Sequence, residues 1–236
     1  MSRHRNPEHT RIAAATSHTA EGADALQSWP YRRTWMLLLL EAAQRSGLTP
    51  IPGWQIHRLA FLADCLSPVY GLPTRLGRVR KAQSGPFDVD RQWELDRIAV
   101  QGLAHLTNIH HRDFAAHVWF FADYSLTSAG MAAADAAAAV SPWAAETRVY
   151  LLEVAGAQEE LGLRARKRAA LSDATYSDPR FLDKHVIEFS EWQQNFSVRA
   201  TEAFQAFVPG GVPLNRRDRL YLYFRYLDRV MDQAVG

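Results

Sequence analysis

The sequence has one cysteine, Cys65, in 236 residues. That excludes an internal disulfide and every zinc site built on two or four cysteines. Lysine is scarce too: Lys81, Lys167 and Lys184 are the whole complement among 27 basic residues, so arginine carries nearly all of the positive charge. With 25 acidic residues the net charge is +2, which excludes a uniformly basic nucleic-acid coat and leaves room for local arginine patches. Long apolar runs are missing. The strongest, Trp35 to Leu40, falls far short of the roughly 20 residues that cross a bilayer, and Met1 to Pro7 lacks the apolar stretch of a secretory signal. Arginine and serine near the start fit an organelle presequence, but Glu8, Glu21 and Asp24 count against it. The expectation is a cytoplasmic protein with no membrane contact.

Catalytic signatures are missing as well. The sequence has no Gly-x-Ser-x-Gly elbow, no Gly-x-x-x-x-Gly-Lys-Ser/Thr phosphate loop and no His-Glu-x-x-His. Asp178-Pro179 with Asp183-Lys184 lacks the acid-x-lysine spacing of a metal-dependent nuclease. His105, His110, His111 and His117 lie close together, and imidazole is a common zinc ligand. A hairpin tip, however, sends His110 and His111 into solvent on opposite sides, with Asp113 the one carboxylate nearby. No enzyme activity, cofactor or metal is predicted.

What is present is an ordinary folding composition, 47% hydrophobic and 22% charged, long enough for one large domain or two small ones. Residues 1–28 have no period and few large apolar residues, and read as a mobile tail dispensable for folding. From Trp29, with Pro30 in a first turn, Trp35, Leu38, Leu39, Ala42 and Ala43 recur at helical spacing until Gly47. A second helix is predicted from about Trp54 to Leu66, ended by Ser67-Pro68. A basic connector from Arg75 to Lys81 follows, then the turn Ser84-Gly85-Pro86, and a third helix from about Phe87 to Gln101. Two strand-like runs, Leu103 to Thr107 and Val118 to Leu126, flank a polar tip from Asn108 to Asp113, and Thr127 can cap the next helix.

This order, with the run Tyr124 to Gly130 as a returning strand, is that of a winged helix; an α-rich domain with one hairpin is the plainer alternative. The fold class is therefore α-rich α+β. A winged-helix-like core with a two-stranded wing spans 29–141, and a C-terminal helical region spans 142–236. In that region Trp143, Thr147, Tyr150, Val154 and Leu161 share a face, as do Trp192, Phe196, Ala203 and Phe207, and Leu220, Phe224, Leu227 and Met231. Asn215 followed by Asp218 is a capping arrangement for the last helix. The segment around Arg164 to Arg168 reads as a linker or exposed loop.

Two arginine clusters are candidate DNA-backbone contacts: Arg75, Arg78, Arg80 and Lys81, and Arg164, Arg166, Lys167 and Arg168. Arginine's planar fork binds two phosphate oxygens at once, although solvated loop charge explains both clusters equally well. The third helix is different. Asp88, Asp90, Glu94 and Asp96 outnumber Arg91 and Arg97 there, and such a balance repels a phosphate lattice. Its stripe Arg91, Glu94, Arg97 and Gln101 fits a protein partner or a salt-laced surface. On the last helix, Tyr221 and Phe224 within an aromatic-rich stretch fit either a partner interface or an internal core.

The stretch His57-Arg58-Leu59-Ala60-Phe61-Leu62 through Ser67-Pro68-Val69-Tyr70-Gly71-Leu72, then Ser84-Gly85-Pro86-Phe87 with Trp93-Glu94-Leu95-Asp96-Arg97, resembles the middle component of bacterial ABC-three-component systems of the Lamassu type. The resemblance covers roughly residues 34–130. A related pattern occurs in the Panacea antitoxin domain, which resembles the SocA adaptor. The resemblance implies a non-enzymatic subunit of an anti-phage or anti-plasmid complex. Such a subunit docks on an SMC-like ATPase, bridges it to an effector that is often a nuclease, and couples DNA sensing to effector release. A toxin-neutralising adaptor and a winged-helix DNA-binding regulator are the alternatives.

Overall fold

The computed structural model describes residues 29–73, 78–82, 84–114, 117–180, 182, 186–188, 195–208 and 212–233. The tail expected over 1–28, Arg75, Asp183, Lys184 and Trp192 lie outside the described residues.

Helix α1 (Trp29–Arg45) buries every position from Trp35 to Leu40, so neighbours cover it on most sides. Gly47 ends it at φ +73°, a left-handed conformation that costs glycine little, and the Leu48 N–H returns to the Ala43 carbonyl at 2.8 Å. The chain continues through β1 (Ile51–Pro52), α2 (Gly53–Leu66), a 3₁₀ turn (Ser67–Tyr70), β2 (Arg78–Arg80) and α3 (Val89–Val100). Next come β3 (Ala104–Phe114) and β4 (His117–Leu126). Strand β4 pairs antiparallel with both β1 and β3, giving the order β1-β4-β3. Helix, strand, helix, helix and a hairpin, with the short β2 set between the second and third helices and the first strand on the hairpin's free side, is the order expected of a winged-helix-like core.

The hairpin differs from expectation in one respect. The polar segment Asn108 to Asp113 is not a tip: β3 continues to Phe114, past a register shift between Thr107 and His110. Asn108 sits in that irregularity at φ 50°, a conformation asparagine tolerates, so polar residues are carried along a bulged strand.

Helix α4 (Ser128–Val140) begins where the Thr127 hydroxyl accepts the Gly130 N–H at 3.0 Å. There follow α5 (Pro142–Glu159), α6 (Leu163–Ser172), β5 (Val186–Glu188), α7 (Phe196–Ala203), a 3₁₀ turn (Phe204–Phe207) and α8 (Arg216–Gln233). Asn215 caps α8, its side chain accepting from the Asp218 N–H at 2.8 Å. The segment Arg164 to Arg168, expected as a loop, lies within α6, whose inward face is Ala165, Ala169 and Ala170. Alanines bury without a large apolar stripe, so the period is faint in the sequence. The described residues form an α-rich α+β fold with one three-stranded and one two-stranded antiparallel sheet.

The region after residue 141 shares its core with the region before it. Helix α5 packs on α1 and α2, α6 and α7 pack on α2, and α8 packs on α5, α6 and α7. One cluster of buried apolar side chains runs from Trp35 to Leu227. Strand β2 in the connector pairs with β5, a pairing of remote segments that no local signal foretells. A polar knot adds to this. Asp173, fully buried just after α6, accepts from the Thr175 and Tyr176 N–H groups at 2.9 and 3.0 Å, from Ser197 Oγ at 2.8 Å and from the Tyr223 hydroxyl at 2.7 Å. Asn195 Nδ2 donates to the Cys65 carbonyl at 2.7 Å, which ties the same knot to α2.

Two glycines mark where backbone approaches or turns sharply. A Cβ on Gly130 would stand 2.1 Å from the Leu103 carbonyl oxygen, whereas one on Gly102 would meet nothing within 4 Å but would sit at φ +73°. Gly130→Ala is expected to cost about 3 kcal/mol through forced displacement of backbone, and Gly102→Ala about 1 kcal/mol through φ alone. Chemical denaturation of the two variants checks the ranking.

Candidate functional site

Helix α3 is capped by Asp88, whose Oδ1 accepts the Asp90 N–H at 2.9 Å. Its apolar inward residues, Leu95 and Ile98, are too few to hold a helix of this length, and charged groups complete the contact. Arg91, 8% exposed, donates to Asp64 of α2, places Nε 3.1 Å from Asp88 and lies 5.1 Å over the Trp35 ring of α1. Glu94, 3% exposed, accepts from Arg33 of α1 at 2.9 Å and from Arg97. Gln92 joins His57 of α2 at 3.1 Å and donates to the Tyr124 hydroxyl of β4 at 3.3 Å.

These contacts correct the expectation for the mixed-charge stripe. Arg91 and Glu94 are not surface contacts for a partner; they are buried and used within the chain. Their partners Asp64 and Arg33 come from helices remote in sequence, which is why spacing along α3 alone assigned them outward. Of the four residues expected on the stripe, Arg97 and Gln101 are exposed.

The surface that α3 does present is Val89, 44% exposed, Trp93, 54% exposed, and Val100, 89% exposed, with Asp90, Asp96 and Arg97 beside them. At 100° per residue, positions 89, 93, 96, 97 and 100 fall on one face. Arg97 covers one edge, its guanidinium carbon 5.9 Å over the Trp93 ring. Asp90 pairs with Arg32 at 2.6 Å. Large apolar side chains in water flanked by carboxylates suit a protein surface and not a phosphate lattice. The spacing of Val89, Trp93 and Val100 was readable in the sequence; the charged inward face concealed which side points out.

The other expected positions separate. On α8, Phe224 is 1% exposed and belongs to the core, so it is corrected from partner contact to packing residue. Tyr221 is half-buried, its hydroxyl against Gly156 of α5 and its ring under Arg217. In the connector, Arg80 and Lys81 are half-buried, and the Lys81 ammonium lies 5.2 Å over the Tyr176 ring; of Arg78 the backbone alone is described. On α6, Arg164, Lys167 and Arg168 are exposed. Arg166 is engaged, bonding the Leu161 carbonyl at 2.9 Å and the Glu159 carboxylate at 3.0 Å. On the hairpin, His105, His110 and His111 are exposed, and among the described residues no three His, Cys, Asp or Glu side chains gather as a metal site would need.

The charge in α3 makes two expectations measurable. Removing one member of a buried ion pair strands the other, so Arg91→Ala is expected to cost about 3–5 kcal/mol, whereas Gln101→Ala should stay within about 0.5 kcal/mol. Denaturant titration of both variants reads the difference. Burial holds the His57 pKa down at about 4, against 6.5 ordinarily, the nearby Arg91 charge lowering it further and the Gln92 hydrogen bond partly opposing. A depressed pKa means that the unfolded chain takes up the proton first, so this contribution is complete above pH 6.5 and is lost as pH falls towards 4. Over that window the native protein should lose on the order of 3 kcal/mol relative to His57→Gln, read from urea unfolding at successive pH values.

No family model and no curated protein matches the chain.

Proposed function

We propose that this protein is a non-enzymatic accessory subunit that docks on an SMC-like ATPase through the exposed face of α3 and bridges that ATPase to an effector in an anti-phage or anti-plasmid system. The observation that carries this reading is the identity of the α3 surface. A winged helix that reads bases presents this helix to the major groove, where arginine, asparagine and glutamine make the useful contacts. Here the corresponding surface is Val89, Trp93 and Val100 beside Asp90 and Asp96, which offers apolar anchorage and repels phosphate. An exposed tryptophan among smaller apolar residues is the composition of a protein-binding hot spot. The ATPase and effector as partners are supported by the resemblance over residues 34–130, and the exposed Arg164, Lys167 and Arg168 of α6, with the half-buried Arg80 and Lys81 of the connector, would supply a contact with DNA phosphates. The same face would serve a toxin-neutralising adaptor, and the identity of the captured partner separates the two readings.

Co-expression with the flanking genes and affinity purification tests this. An SMC-like ATPase should co-purify with the native protein, and Trp93→Ala should weaken that association at least about 30-fold, the scale of losing a hot-spot residue, while thermal stability stays unchanged because the side chain is half in water. Undiminished co-purification of Trp93→Ala, or capture of a toxin in place of the ATPase, overturns the proposal.

A further inference from the structure

The two basic clusters are separated by more than eighty positions in the sequence, and one side chain brings them together. Arg58, on α2, stacks over the Trp54 ring with its guanidinium carbon 4.6 Å from the centroid. One arm of its fork donates to the Lys167 carbonyl in α6, and the other to the Ser84 carbonyl just after the connector. The Tyr176 hydroxyl adds a second tie, donating to the Ala82 carbonyl at 2.6 Å and accepting the Ala82 N–H at 3.1 Å. Lys81 reaches the Asp178 carbonyl at 3.4 Å, and β2 pairs with β5. The end of the connector is therefore tied to the turn that follows α6, and through Arg58 to α6 itself.

From this juxtaposition we propose that residues 78–82 and the outer face of α6 form one continuous track for the phosphate backbone of duplex DNA, with Arg58 as the positioning residue that clasps its two halves. The proposal rests on the phosphate contact named under the proposed function and gives it a single, assembled surface. Residues 78–82 and 163–172 contain Arg78, Arg80, Lys81, Arg164, Arg166, Lys167 and Arg168 and no acid at all. Neighbouring carboxylates offset part of that charge: Glu159 is paired with Arg166, Asp178 lies 2.8 Å from Arg180 and also senses Lys81, and Asp173 is buried. Arg164, Lys167 and Arg168 are exposed and make no ion pair among the described residues. Cations spread along two adjoining segments match a repeating polyanion better than a single anion, and a predominance of arginine matches phosphate oxygens bound in pairs.

The test is fluorescence anisotropy of the full chain with a mixed-sequence 20-bp duplex across a salt series. Each neutralised phosphate contributes about −0.9 to the slope of log affinity against log salt. Arg164→Ala with Arg168→Ala should flatten the native slope by about two units and Lys81→Ala by about one, on either of two unrelated duplexes. Arg58→Lys keeps the charge and removes the fork. It should flatten the slope by loosening the connector, and it should do so by less once Lys81 is already alanine. Arg45→Ala, which removes one charge at the end of α1, should leave the slope as it is.

Equal flattening by Arg45→Ala, or absence of duplex binding at 50 mM salt, overturns the track. So does binding to phosphatidylserine vesicles in its place. An unaltered slope for Arg58→Lys, with the other losses intact, overturns the clasp and leaves two separate patches. Duplex binding by the isolated chain is independent of the α3 contact, so failure here leaves co-purification with the ATPase standing, and failure there leaves the track standing.

Discussion

The placement of α3 depends on one buried cation. Taking a guanidinium out of water costs several kcal/mol, and Arg91 is compensated by the carboxylates of Asp64 and Asp88 and by the face of Trp35. Such a group is satisfied in one orientation of the helix and stranded in others. Glu94 with Arg33, and Gln92 with His57 and Tyr124, obey the same constraint from either side. The outcome is a helix turned against the usual amphipathic rule: charge faces α1 and α2, while Val89, Trp93 and Val100 face water.

A second buried charge organises the region after α6 by a different means. Among the described residues no cation pairs with Asp173; hydroxyl and backbone N–H donors surround it, and burial raises its pKa against their opposing pull. Those donors come from the turn after α6, from α7 and from α8, so the carboxyl fixes three elements relative to one another. With Phe224 and Leu227 in the common core, the last helix is a structural member of the fold, and its aromatic residues are mostly spent on packing.

The surface consequently divides by chemistry. Helix α3 offers apolar area with carboxylates, and α6 with the connector offers cations with no acid among them. The proposed function asks one subunit to hold a protein and to rest against a polyanion, and carboxylates beside a phosphate track would cancel its field.

Much of the winged-helix order was legible because its signals are local. Gly47, Ser67-Pro68 and Gly102 bracket helices by backbone preference, Thr127 and Asn215 cap theirs with short side chains, and β4 carries aromatic residues that favour strands. The all-apolar run Trp35 to Leu40 announced a helix covered on most sides, and it is. What the sequence determined by itself is therefore the order of the first three helices, the hairpin and the helix after it, and the presence of two arginine clusters, but neither α6 nor the short strands β1, β2 and β5. Tertiary structure alone decided which face of α3 is outside, that β2 pairs with β5, that Phe224 is interior, and that Arg58 joins the clusters. Each of these depends on a partner remote in the chain, as Asp64 is to Arg91, Glu188 to Arg78 and Lys167 to Arg58. Whether a charge is buried and paired or left in water is set by what folding brings beside it, and residue spacing within one helix carries no record of that.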